Sequence, residues 1–169
     1  MDGATPDPAS PRLRPAHAAD LGAVNALIER AVMTWQLPER VKRLALPSYR
    51  YTEHDLEHLT LVVSEHAGQG IVGVAAWEPA NPQDLAPGQS GLLLHGLYVD
   101  PARQRQGIGR RLLAAAIGAA HARGYHGVLV KAQADAAPFF LKQGLQPVAA
   151  NDPARDYPHR YWAASRPSI

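Results

Sequence analysis

Residues 104–110 read Gln-Arg-Gln-Gly-Ile-Gly-Arg, and a helix-like run follows at once. The start of a helix leaves backbone N–H groups without intrahelical partners and carries a partial positive charge, so it is a ready site for anions. Gly107 and Gly109 have no Cβ, which lets the backbone come close to phosphate oxygens. Arg105, Arg110 and Arg111 add cationic side chains. The chemistry this combination suits is pyrophosphate binding. Two nucleotide readings fail on the residues themselves. A P-loop would continue Gly-Lys-Ser/Thr, whereas this loop ends Gly109-Arg110-Arg111. A dinucleotide fingerprint would open near the start of a parallel βαβ series and place a third glycine at 112, where Leu112 stands. A turn that uses glycine only for its shape and a phosphate cradle both remain open at this point.

A second group of residues could move protons. His95 interrupts the apolar run "LLLHGLYV" (Leu92–Val99) four residues before its end. Free imidazole titrates near pH ~6.5, so a histidine can accept a proton at neutral pH. His95 is either a general base or a core histidine bonded to a backbone carbonyl. Glu78, at the end of "VAAWE", is the alternative base, or a solvated strand-end carboxylate. His54 and His58 stand four apart, with Asp55 and Glu57 between them, but no third histidine follows at ligand spacing. The pattern is not His-Glu-x-x-His, so a surface helix is expected there and no metal site. With no cysteine there is neither a disulfide nor a thiol nucleophile. Trp35, Tyr49, Tyr51 and Trp77 either line an acceptor pocket or pack a core. The polar loop "ANDPARDYPHRYW" either closes over an acceptor or forms a salt-bridged turn.

The elements that must hold these residues can be read from apolar periodicity. "RLRPA" (Arg12–Ala16) alternates as a strand does. In "AADLGAVNALIERAV", Leu21, Val24, Leu27, Ile28 and Ala31 recur at three and four, one face of a helix. Leu37–Leu46 reads as a second helix with Pro38 in its first turn. "PSYRYTEHDLEHL" has no clean period. Thr60–His66 and Ile71–Pro79 read as a hairpin around "AGQG". Leu92–Val99 reads as a strand buried on both faces, in which Gly96 predicts a bulge or a close backbone approach. A long helix ending near Gly124, the strand "GVLVKA", a short helix in "DAAPFFLKQG" and the strands "LQPVAA" and "RYWAAS" complete the order. The class is mixed α/β, with antiparallel strands first and a strand–helix–strand crossover in the middle.

The 169 residues suit one domain, expected over 12–169, after a tail at 1–11 rich in Pro, Ala, Asp and Ser. A net charge of +2 is too small to argue for nucleic acid. No apolar run approaches membrane-spanning length, and the first residues do not read as a signal peptide, so neither a nucleic-acid nor a membrane partner is expected and a cytoplasmic protein is the default.

Set after "LYVDPA", the pattern Gln104-x-x-Gly107-x-Gly109 resembles the acyl-CoA loop of the GNAT superfamily of N-acetyltransferases, Gln/Arg-x-x-Gly-x-Gly/Ala. "RLRPAHAADLGAVNALI", "IVGVAAW", "LYV" and "APFFLKQGL" are similar, in that order, to the family's first strand and helix, third strand, fourth strand and final short helix. The resemblance covers roughly 12–165. It implies a mostly antiparallel sheet splayed between its fourth and fifth strands, with helices on both faces, and acetyl-CoA as co-substrate. It implies that Leu97, Tyr98 and Val99 pair with the pantetheine arm, and that the amides from Arg105 through Gln106, Gly107, Ile108 and Gly109 to Arg110 hold the pyrophosphate. Gln104, Gln133, Phe139 and Phe140 complete the cofactor site. A primary amine, on a small molecule or a protein, would attack the thioester directly. A backbone N–H near Leu97 or Val99 would polarise the carbonyl. His95 has the same offset from the loop as the catalytic histidine of the superfamily's arylalkylamine acetyltransferases. The family's usual tyrosine acid falls at Phe140, which has no proton to give. Tyr98, Tyr157 or Tyr161 substitutes, or the thiolate takes its proton from solvent, or the chain is a non-catalytic acyl-CoA-binding or sensing module. A homodimer is left open.

Overall fold

The structure is a computed structural model that describes residues 10–154 and 158–165. The expected tail lies outside the described residues except for its last two positions, and so does Tyr157. The elements in chain order are β1 (Arg12–Pro15), α1 (Leu21–Met33), α2 (Glu39–Tyr49), α3 (Glu53–His58), β2 (Thr60–His66), β3 (Gly70–Pro79), β4 (Gly91–Val99), α4 (Ile108–Ala122), β5 (Gly127–Lys131), α5 (Ala137–Lys142), β6 (Gln146–Pro147) and β7 (Arg160–Ala164). The strands form one sheet in the order β1-β2-β3-β4-β5-β7-β6. Every pair is antiparallel except β4–β5, which is parallel because α4 returns the chain across the sheet.

Helices cover both faces, and each seals its own core. On one face Leu112, Leu113 and Ala116 of α4 pack against Val72, Trp77, Leu92 and Val128, together with Phe140 of α5. On the other, Val24, Leu27, Ile28 and Ala31 of α1 pack against Val63, Val74, Ala76 and Tyr98. The period-three-and-four stripe read in α1 is therefore its buried face.

Two local readings need correction, and a third is borne out. The second helix does not stop at Leu46 but carries Pro47 through to Tyr49. The missing N–H falls in its last turn, where the Ser48 hydroxyl donates to the Ala45 carbonyl. Residues 53–58, which show no clean period, form α3, the surface helix expected around His54 and His58. Its start is a capping box in which Thr52 Oγ1 accepts from the Asp55 N–H and the Asp55 carboxylate accepts from the Thr52 N–H. The strand expected over "LQPVAA" is reduced to Gln146–Pro147, since Pro147 has no N–H to donate. Among the described residues no helix is long and apolar enough to cross a membrane.

Two features of β4 open the sheet. Ala76 pairs with Gly96 while Trp77 pairs with Leu94, so His95 is the extra residue of a β-bulge. The pairing of β4 with β5 runs from Gly91↔Gly127 to Leu94↔Val130 and ends there, although β4 continues to Val99. Past Val130, β5 stays with β7, as Lys131↔Arg160. The two strands therefore part in a wedge whose vertex is Leu94/Val130.

Candidate active site

The wedge opens into a cleft of about 1370 Å³. Pockets for single drug-sized ligands measure roughly 300–1,000 Å³, so this cleft is large enough for a long ligand with a second molecule beside it. One wall is the stretch of β4 from His95 to Val99. Because β5 has left, the backbone groups of Leu97–Val99 on that side have no strand to pair with among the described residues, and an extended ligand can take the place of one.

At the outer end of this wall the chain turns into α4. Gly107 is the residue before its first turn, with φ of +79°, a left-handed conformation that residues with a Cβ adopt at a cost. Arg105 is also left-handed, at φ 65°. The N–H groups of Ile108, Gly109 and Arg110 precede the first intrahelical bond, from Arg111 N–H to the Gly107 carbonyl, and so remain available to an anion. Gly109 serves a different purpose: a Cβ there would lie 3.3 Å from Phe139 Cζ, so its absence lets α4 begin against α5. Gln104, Arg105, Gly107, Ile108, Gly109 and Arg110 all line the cleft, and Gln106 does not.

At the inner end, His95 is exposed and lines the cleft. Its Nδ1 lies 3.3 Å from the hydroxyl of Tyr51. Tyr51 is buried, and burial pushes its pKa well above the usual phenol range, with Tyr98, Asp55 and Glu78 nearby adding to the effect. The phenol therefore stays protonated. When Nδ1 carries the imidazole proton it donates to the phenol oxygen, and Nε2 keeps its lone pair for a substrate proton. Gly96 makes this contact possible, because a Cβ at that position would collide with the Tyr51 hydroxyl. Both expectations for Gly96, a bulge and a close approach, are met. Glu78 is half-buried, close enough to act on Tyr51 but not part of the cleft wall.

The phenols divide sharply. Tyr161 is buried and stacks on Phe140 with ring centres 6.0 Å apart, behind the cleft rather than in it. Tyr98 lines the cleft and is 9% exposed, with its body in the α1-side core. Phe139, Phe140 and Gln133 form the opposite wall. Trp35 and Tyr49, which sequence left between pocket and core, both line the cleft, whereas Trp77 is buried in the α4-side core. Trp35 meets Tyr49 edge to face at 5.5 Å, and the Gln133 side-chain amide donates to the Tyr49 hydroxyl at 3.2 Å. For Tyr49 the choice between pocket and core was not legible, since it lies where "PSYRY" has no period. The His54, Glu57 and His58 side chains are exposed on α3, where one ligand atom from each lies within 4.8 Å of the others, and they line no part of the cleft.

Among curated proteins none matches this sequence. Solved structures of the same fold are numerous. A GNAT-family acetyltransferase from Brucella melitensis, in complex with acetyl-CoA, is 18% identical with a TM-score of 0.63 over 95% of this chain and 92% of that one. The PaiA N-acetyltransferase from Thermoplasma acidophilum, in complex with coenzyme A, is 12% identical with a TM-score of 0.72 over 92% and 99%. A GCN5-related N-acetyltransferase from Ralstonia eutropha JMP134 is 20% identical with a TM-score of 0.68 over 84% and 96%. Residues 28–145, well over half of the chain, match the acetyltransferase (GNAT) family, and with the bulged, splayed sheet and the glycine-led helix start they show that the chain belongs to that family.

Proposed function

We propose that the protein transfers an acetyl group from acetyl-CoA to a primary amine by direct attack in a ternary complex. The observation that carries this reading is the continuity of one cleft, from the α4 start, through the open backbone of Leu97–Val99, to the His95 bulge. Those parts fit acetyl-CoA in order: amides and arginines for the pyrophosphate, a strand edge for the pantetheine amides, and a proton acceptor at the thioester. Solved relatives of this fold that hold acetyl-CoA and coenzyme A support the same ligand.

Within this reading the backbone N–H of Leu97 or Val99 stabilises the oxyanion that forms as the amine adds to the carbonyl. His95 Nε2 takes the proton that the amine must lose, directly or through water. The acceptor enters from the side of Trp35 and Tyr49, and its amine is on a small molecule or a protein. Phe140 favours a second reading, an acyl-CoA-binding module without turnover, because the position the resemblance gives to the acid has no proton.

The test incubates the protein with acetyl-CoA and an amine panel and follows free thiol, with CoA binding measured by calorimetry. Turnover that falls about 10²-fold in a His95→Gln variant with unchanged CoA affinity is the expected result. CoA binding with no turnover on any amine would leave the binding-module reading in its place.

A further inference from the structure

We infer that Tyr49 supplies the proton to the departing CoA sulfur, a catalytic role on the end of α2 rather than on α5. The inference rests on the proposed acetyl transfer. That reaction produces a thiolate when the C–S bond breaks, and the cleft must then offer a proton close to the wedge vertex.

The location of the sulfur follows from the walls. With the pyrophosphate at Gly107–Arg110 and the pantetheine along Val99 to Leu97, the thioester lies at the inner end of the wedge, beside the His95 bulge. Leu97 is three residues past Leu94, the last β4 residue paired with β5, and Gln133 is three residues past its partner Val130. Both lie beyond the last paired residues, on opposite walls of the cleft. The Gln133 amide donates to the Tyr49 hydroxyl at 3.2 Å, and both residues line the cleft with Leu97. In that bond Gln133 is the donor, and it stabilises the phenolate that remains when the proton leaves. Trp35, edge-on to the Tyr49 ring at 5.5 Å, fixes the ring's position.

The other described candidates do not serve. Phe140 has no hydroxyl, Tyr161 is stacked behind it, and Tyr51 is buried against His95 with its acidity suppressed. Tyr98 lines the cleft but packs its body in the opposite core.

The step balances without a further reagent. The amine nitrogen forms a bond to the acetyl carbon and gives one proton to His95. The C–S bond breaks, the electron pair goes to sulfur, and the Tyr49 O–H proton follows it to give the free thiol. Water then carries the proton held by His95 back to the Tyr49 phenolate.

The experiment compares the native protein with Tyr49→Phe and, as a second variant, Gln133→Leu, which keeps the phenol but removes its holder. Steady-state rates are measured against acetyl-CoA and amine from pH 6 to ~10.5, a range that brackets free phenol, with melting curves for each protein. Tyr49→Phe should lower kcat about 10²-fold while KM for acetyl-CoA stays within about threefold. Any high-pH fall in kcat that comes from ionisation of this phenol should vanish in it. Gln133→Leu should lower kcat by a smaller factor and keep that fall. Native kcat and an unchanged high-pH limb in folded Tyr49→Phe would overturn the assignment and leave solvent as the donor. Absence of turnover by the native protein would overturn the transferase reading, and this one with it.

Discussion

At the bulge, three residues depend on one another. His95 is displaced from the β4 ladder, its ring meets the Tyr51 hydroxyl, and Gly96 leaves room for that hydroxyl. A methyl group at 96 has no free space, since it would also lie 2.8 Å from Tyr98 Cε2. Gly96→Ala should therefore destabilise the fold by about 1–3 kcal/mol, the usual result of overpacking a filled site. It should also slow turnover, because Tyr51 must move away from His95. Adding Tyr51→Phe removes the oxygen that the methyl group meets, so the double variant should regain part of the lost stability without regaining the rate. Urea denaturation of the two single variants and the double would show this coupling. Strict additivity of the two changes would mean that Gly96 and Tyr51 are not in close contact.

At the scale of elements, the glycine-led turn and α4 act as one unit. Gly107 holds a left-handed backbone that turns the first N–H groups of α4 into the cleft. An L-residue there costs roughly 1–2 kcal/mol. Gly107→Ala should lower stability by that order and weaken CoA binding about tenfold, equivalent to about 1.4 kcal/mol, as read by calorimetry; undiminished affinity would detach the turn from the phosphates. This unit was legible in the sequence because its cause is local: a glycine pair, flanking arginines and an immediate helix period all lie within a few residues. The bounds of β2 and a bulge beside Gly96 were legible for the same reason. Tyr49 and Tyr51 were not. They flank Arg50, where α2 ends and the chain extends toward Thr52, so neither a helical nor a strand period governs them. Their partners, Gln133 and His95, are distant in sequence and meet them only once the sheet and α2 are assembled. Tyr161 shows the converse: its place in β7 was readable, but only the tertiary structure shows Phe140 between it and the cleft.

On the scale of the whole molecule, the sheet separates two cores, and the cleft is the seam where β4 and β5 stop holding each other. The far edge of the sheet is secured differently. β1 is only four residues long and, among the described residues, has a neighbour on one side only. Arg14 anchors it by donating to both carboxylate oxygens of Asp20, at 2.8 and 2.9 Å, and to Glu65 at 2.6 Å, joining β1 to the start of α1 and to β2. The Asp20 carboxylate also accepts from the His17 N–H at 2.7 Å. With its side chain only 14% exposed, this carboxylate is weakly screened. The Arg14 hydrogen bonds hold its pKa at about 2, below the ordinary 3.8, against the opposing pull of burial, and the His17 N–H contributes in the same direction. The sign follows from the lowered value. The folded state binds this proton less readily than the unfolded chain, so the stabilisation is complete above about pH 4 and is lost as pH falls through 2. Asp20→Asn should therefore lower stability by about 1–2 kcal/mol at neutral pH. The gap between native and variant melting temperatures should narrow between pH 4 and pH 2 and close below that. A gap that keeps its neutral-pH size down to pH 2 would show that the Asp20 charge does not hold this edge, and that packing around residue 20 does.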